Sequence, residues 1–290
     1  MENILRLRTA AALFHVLKTP AKVSKYLNGC GLEKATEIMS AMAPEVLEEV
    51  DKTSTELESR GVSVVFSNEP EFPSQLASLR DAPEVLFLWG DSSLLHAASI
   101  GMCGSRKASE RGLSAARKCG GAIATSGLAI VSGYATGVDT ETHLGALRAG
   151  GETVIILAEG ILHFKRKRSF ADVPFDETHV LAVSQFAPLQ PWNVGAAMTR
   201  NAVIYGLGKA LVVIEAGETG GTFQAGMGAL RSHKPVLALG FDKETPKGNA
   251  VLIERGAIEV RTSMQLGNII NAIHSVKVDE PVSAEQLSLI

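Results

Sequence analysis

From Gly61 onward, short apolar runs alternate with stretches in which apolar positions recur at helical spacing. A parallel sheet flanked by helices imposes that pattern, because its strands are buried on both faces and each is joined to the next by a crossover. Strands are predicted at Val62–Phe66, Val85–Trp89, Ser99–Cys103, Ala129–Ser132, Thr153–Ala158, Val180–Ser184, Ala210–Glu215 and Pro235–Leu239. Helices are predicted over Ser109–Ala124, Thr140–Ala149, Gly195–Tyr205 and Thr222–Ser232. The fold class is therefore α/β, an extended Rossmann-like, doubly wound and mostly parallel sheet. Residues 1–60 differ: helical spacing in Ile4–Leu17, Val23–Leu27 and Ala35–Met42, broken by Pro20 and Pro44, predicts a small N-terminal helical module. Residues 275–290 are polar except at their end and read as a loose tail or a partner-binding strip, which leaves 61–274 as the core.

In an open parallel sheet, ligands bind beyond the carboxyl ends of the strands, so the residues that follow each strand carry the chemistry. Four such loops stand out. Gly104-Ser105-Arg106-Lys107-Ala108-Ser109 joins a tight turn to a helix start capped by Ser109, and Arg106 adds a planar fork suited to phosphate. Ser132-Gly133-Tyr134-Ala135-Thr136-Gly137-Val138-Asp139 has two glycines that permit close approach of backbone to ligand. Asp139 and His143 in this stretch read as a helix cap and a loop-orienting group rather than as reacting groups. In His163-Phe164-Lys165-Arg166-Lys167-Arg168-Ser169-Phe170, four consecutive cations are bracketed by phenylalanines, which supplies phosphate charges and stacking faces; a solvated loop is the alternative. Glu215-Ala216-Gly217-Glu218-Thr219-Gly220-Gly221-Thr222 forms a further cradle at a helix start. The four loops are expected to converge on one groove.

The chain has 290 residues with 46% hydrophobic and 20% charged content, enough for a large core, and a formal net charge of -3. The acidic balance confines any nucleic-acid contact to a local patch, of which Lys165–Arg168 is the best candidate. Cys30, Cys103 and Cys119 are odd in number, far apart and without zinc-site spacing, so a reducing compartment, the cytoplasm, is expected. Neither a signal peptide nor a membrane span is read in the chain. In the helical region, Gly29-Cys30-Gly31-Leu32-Glu33-Lys34-Ala35 has the spacing of a helix-hairpin-helix turn, as in SAM-like modules, though a plain helix-ending glycine turn is the preferred reading.

Taken in order, these segments resemble the DprA (Smf) family of DNA-processing proteins. The resemblance is carried by Phe72-Pro73-Ser74-Gln75-Leu76, by Asp81-Ala82-Pro83-Glu84 running into Val85–Asp91, and by Gly104-Ser105-Arg106. It continues through Gly133 to Asp139 with His143, Ala146-Leu147, Gly150-Gly151, Arg200-Asn201, Glu215-Ala216, Gly220-Gly221, Gly248-Asn249, Leu252-Ile253 and Gly256-Ala257. The resemblance implies an extended Rossmann domain that binds single-stranded DNA, with Arg106 as the main phosphate contact, Gly104 and Ser105 shaping its loop, and Arg200-Asn201 in the binding set. It also implies a homodimer, a RecA-type recombinase as partner, and no cofactor, metal or catalytic residue. This chain departs from the family at Ala202, where a second arginine is usual, at Lys165–Arg168, where a neutral proline-containing stretch is usual, and in leaving no room for a C-terminal winged-helix-like domain. A specialised paralogue with a neighbour-encoded toxin or phage-defence partner is a further expectation.

Two rivals are weaker. A phosphoribohydrolase of the Lonely Guy type needs a carboxylate in its Gly-Gly-x-Gly-Thr-x-x-Glu loop, but Gly220-Gly221-Thr222 is followed by Phe223-Gln224-Ala225. Dinucleotide redox chemistry needs a Gly-x-Gly-x-x-Gly turn after an early strand, and none is present. A third class is a DprA-derived antitoxin that works mainly through protein contact.

Overall fold

The computed structural model describes residues 2–241, 244–275 and Leu287. Its strands are β1 (Val62–Phe66), β2 (Val85–Gly90), β3 (Ser99–Cys103), β4 (Ala129–Gly133), β5 (Thr153–Ile156), β6 (Val180–Ser184), β7 (Leu211–Val213), β8 (Val236–Leu239) and β9 (Ile258–Val260). They form one nine-stranded sheet in the order β1-β2-β6-β5-β4-β3-β7-β8-β9. From β6 to β9 every pairing is parallel; β2 is antiparallel to β6, and β1 to β2.

Strict two-residue alternation explains why the strands read as continuous apolar runs. Leu181, Val183, Val154, Ile156, Val131, Leu211, Val213, Val236 and Ala238 fill one face. Their neighbours fill the other: Val180, Ala182 and Ile155 in one cluster, and Ile130, Val212, Leu237 and Leu239 in another. The crossover helices are α6 (Glu110–Thr125), α7 (Val138–Arg148), α8 (Val194–Thr199), α9 (Asn201–Leu207), α10 (Gly221–Arg231) and α11 (Lys247–Glu254). The single helix expected over 195–205 is two, interrupted at Arg200, whose side chain turns into the sheet. The strand expected over 153–158 stops at Ile156, and the one over 210–215 shrinks to Leu211–Val213. In the carboxyl-terminal part of the described residues, α11, β9 and α12 (Ser263–Ser275) had no sequence expectation. Strand β9 is three residues long with Glu259 at its centre, too short for a period to register.

The N-terminal helices are α1 (Glu2–Leu17), α2 (Pro20–Leu27), α3 (Gly31–Ser40) and α4 (Pro44–Ser59); a one-turn α5 (Ser74–Ala77) lies between β1 and β2. Leu7, Leu13 and Phe14 of α1, Leu27 of α2 and Leu57 of α4 share a core with Val62, Val64 and Phe66 of β1 and Phe87 of β2. The module is thus cemented to the edge of the sheet. Its Gly29–Gly31 turn ends α2 through Asn28, a left-handed cap whose N–H donates to the Ser24 carbonyl, and Gly31 packs tightly under the Asn68 side chain. At the other end, Leu266, Ile269, Ile270 and Ile273 of α12 pack in one cluster with Leu287. The rest of the tail expectation, 276–286 and 288–290, lies outside the described residues. Among the described residues no helix is long and apolar enough to cross a membrane.

Candidate functional site

The carboxyl ends of β3, β4 and β7 open onto a cavity of about 420 Å3. Its walls come from the 104–106 loop, Ala135 and Asp139 after β4, Trp192 and the α8–α9 segment, and Gly217, Thr219, Gly221 and Thr222 after β7. The loop after β3 is held by backbone: the Ser105 N–H donates to the Glu215 carbonyl (2.9 Å), and the Ser109 side chain caps α6 by accepting from the Gly112 N–H (3.0 Å). Glu215 ties this loop to the one after β7, its Oε2 accepting from the Ser109 N–H at 2.8 Å. Lys107 is exposed, and its N–H donates to the Ser105 hydroxyl at 3.0 Å. With the loop pinned from below, the Arg106 guanidinium projects into solvent and lies 4.9 Å from the centre of the Trp192 ring. On the far wall Gly220 caps α10 with φ 99, and no side chain caps the first amides of that helix, so Gly221 and Thr222 bring a partial positive charge to the cavity. Asn201 steadies the same corner by donating to the Gly221 carbonyl at 3.2 Å.

Under this rim lies a buried charge pair. Arg200 is 6% exposed; its Nη1 donates to the Ile156 carbonyl (2.8 Å) and its Nη2 lies 3.5 Å from Asp139 Oδ2. Gly133 leaves the space this guanidinium needs, because a Cβ there would fall 1.8 Å from Nη1. Asp139 also accepts from the Ala135 N–H at 3.3 Å, fixing the entry to α7. His143 is fully buried behind it. Its Nε2 lies 2.6 Å from the Gly133 carbonyl and its Nδ1 2.6 Å from the Thr153 hydroxyl, which also donates to the Ile130 carbonyl at 3.3 Å. Burial lowers the His143 pKa from its usual 6.5 to about 4.

That shift predicts an acid sensitivity. The unfolded chain binds a proton at His143 that the folded one refuses, so stability is full above about pH 6.5 and falls as the pH drops toward 4, by on the order of 3 kcal/mol. In urea titrations at pH 7 and pH 4.5, His143→Leu is expected to lose stability at pH 7 yet show a shallower decline on acidification. An unchanged slope would remove His143 as the cause.

The basic loop does not enter this cavity as one unit. Lys167 folds onto Tyr134: its Nζ donates to the Tyr134 carbonyl and sits 3.9 Å from that ring's centre, while its N–H donates to the Tyr134 hydroxyl at 3.0 Å. Half-burial lowers the Lys167 pKa and raises that of Tyr134. Arg166 points the other way and caps the carbonyls of Phe170 and Ala171, while Lys165 and Arg168 are exposed. The expectation that Phe164 and Phe170 offer free stacking faces is corrected. Phe170 is fully buried against Tyr134, His143 and Phe175, and Phe164 packs between Trp89 and Tyr134, because these rings seal the core beneath the loop.

The exposed aromatic at the site is Trp192, 45% accessible and flanked by Val194 and Met198, which are also exposed. All three line the cavity, and sequence reasoning passed over them. The signal was there in Gln190-Pro191-Trp192-Asn193, a lone Trp in a proline-bearing loop just before a helix start. Asn249, which entered only through the family resemblance, is a clamp. It accepts from the Ala216 N–H and donates to the carbonyls of Val213, Ile214 and Leu239, and so fixes the loop after β7 to β8.

A family model described as DNA recombination-mediator protein A matches residues 63–273. The chain belongs to that family. Among its relatives, the DNA processing protein DprA of Bacillus subtilis (strain 168) is 28% identical over 204 residues, covering 68% of each chain. Protein Smf of Escherichia coli (strain K12) is 30% identical over 221 residues, which is 73% of this chain and 59% of that protein. Relative to the latter, the match spans under two thirds of the relative's length. The X-ray structure of DprA from Streptococcus pneumoniae superposes with a TM-score of 0.66 at 24% identity, over 89% of this chain and 94% of the other. DNA processing protein A from Helicobacter pylori, solved for its single-stranded DNA binding mode, gives 0.63 at 21% identity, over 73% and 95%. Both share the fold of this DprA-family chain.

Proposed function

We propose that this DprA-family protein binds single-stranded DNA along the carboxyl edge of its sheet, holding phosphates at Arg106 and at the start of α10 while a base lies on Trp192. The observation that carries this is the Arg106–Trp192 pair above a cavity walled by three glycine-bearing loops. A planar cation for phosphate beside an exposed aromatic face is what sequence-independent strand binding requires. The Helicobacter pylori relative, described for its single-stranded DNA binding mode, supports the same class of ligand. Gly104, Ser105, Lys107, Ser109, Gly133 and Gly137 shape or flank the phosphate loop, Gly220, Gly221 and Thr222 the opposite wall, and Lys167 extends the positive field toward Tyr134. Arg200 and Asn201 act from beneath as scaffold. Binding rather than hydrolysis is also supported by the carboxylates of the loop after β7: Glu215 is spent on Ser109, Glu218 lies 3.9 Å from Lys247, and neither lines the cavity. Recombination or DNA uptake, with a RecA-type protein and a second copy of the chain as partners, is the setting we propose.

Fluorescence anisotropy of labelled oligothymidine at two salt concentrations tests the proposal. Arg106→Ala is expected to weaken binding about tenfold and to flatten the log–log salt slope by about 0.7, the effect of one lost phosphate contact on a single strand. Absence of binding by the wild type at low salt would refute it.

A further inference from the structure

We infer that the protein carries a second nucleotide subsite on the far side of the 159–170 segment. There a separate cavity of about 440 Å3 is lined by Trp89, Phe164 and Phe175 together with Arg60, Lys165 and Arg166. Phe164 and Phe175 are packed by other rings, so the half-buried Trp89 is the surface that a base would meet, beside three cations for its phosphate, and no carboxylate lines the cavity. The charges differ in availability. Arg60 is paired with Glu56 at 2.5 Å and donates to the Leu162 carbonyl at 2.8 Å. Arg166 is held by carbonyl oxygens and lies 5.6 Å from the centre of the Phe175 ring, and among the described residues no acid pairs with it or with Lys165. An exposed guanidinium held by carbonyls has no fixed anion to displace when a phosphate arrives.

The subsite is joined to the main cavity by a row of rings. Tyr134 lies 5.6 Å from Phe164, and Phe164 lies 5.3 Å from Trp89. Along the same line run Arg106, Lys167 and Lys165, so the splitting of the basic run into two faces places cations on both sides of the aromatic ridge. The ligand is a nucleotide unit, supplied either by the continuing strand or by a free nucleotide. The first source rests on the strand binding proposed above.

The two tryptophans of the chain make the sites separately readable. Trp192→Phe leaves Trp89 as the sole indole, and Trp89→Phe leaves Trp192. Each is titrated with thymidine monophosphate and with oligothymidines of about six and about twenty nucleotides. Quenching of Trp89 by the long oligomer, with Lys165→Glu weakening that oligomer about fivefold while leaving the short one within twofold, establishes the subsite on the strand's path. Quenching of Trp89 by the monophosphate, lost in Lys165→Glu, establishes it as a pocket for free nucleotide. A silent Trp89 under ligand that saturates Trp192 overturns the subsite alone. A responsive Trp89 with a silent Trp192 keeps the subsite and overturns the main-cavity proposal, and silence of both overturns the two together.

Discussion

Replacing Arg200 with methionine is expected to destabilise the protein by about 3–5 kcal/mol, the range for breaking a buried charge pair from one side. The guanidinium and the Asp139 carboxylate are 7% and 8% exposed as side chains. At 3.5 Å their contact owes more to Coulomb attraction in a dry environment than to a short hydrogen bond. Without Arg200, Asp139 keeps, among the described residues, the Ala135 N–H as its one side-chain hydrogen bond, and the Ile156 carbonyl loses its side-chain donor. The doubly substituted Arg200→Met/Asp139→Asn protein is expected to recover at least half of the loss, since no bare charge remains buried. Urea unfolding midpoints of the three proteins decide it. Loss of less than about 1 kcal/mol in the single variant would mean that water reaches the pair.

Gly137→Val is expected to be nearly as damaging, by about 4 kcal/mol, and to lower the oligothymidine affinity proposed above as well. Gly137 adopts φ 83 and ψ -131, and a Cβ there would stand 2.6 Å from the Ser105 carbonyl oxygen and 2.7 Å from that of Arg106. A β-branched residue is strained at positive φ, and the clash is with backbone that no rotamer can relieve. The loop after β3 must move, taking Arg106 away from Trp192. Differential scanning calorimetry read beside oligothymidine anisotropy separates the two effects. A variant with an unchanged melting temperature would show that the two loops are not in contact in solution.

Most of the fold was legible because apolar runs such as Leu211–Ile214 and Val180–Ser184 are buried on both faces, where composition alone betrays a strand. Elements escaped where that signal was diluted. Ile258–Val260 is a short strand at one end of the sheet with a polar centre, and Arg200 breaks what periodicity presents as one helix. The loops at the strand ends were readable from glycine, serine and arginine in sequence, since backbone-lined turns leave a compositional trace. What could not be read was direction. Nothing in Phe164–Phe170 says that the rings face inward while Lys167 and Arg166 face opposite ways, nor that Trp192 swings over Arg106 from more than eighty residues away. Those facts belong to tertiary packing.

The reversal of β2, between β6 and a β1 that again runs with the rest of the sheet, has a consequence for reach. Because Phe66 pairs with Val85, and Phe87 with Ser184, the connector 67–84 emerges at the same edge as the phosphate loops, and Arg80–Glu84 stand beside Gln185 and Asn201 there. With neighbouring strands about 4.8 Å apart, nine of them give that edge a contour of about 38 Å. Had β2 run parallel to the rest as well, it would have started at the opposite edge, and the connector leaving Phe66 would have had to cross the layer instead of extending the edge along which a polymer can lie.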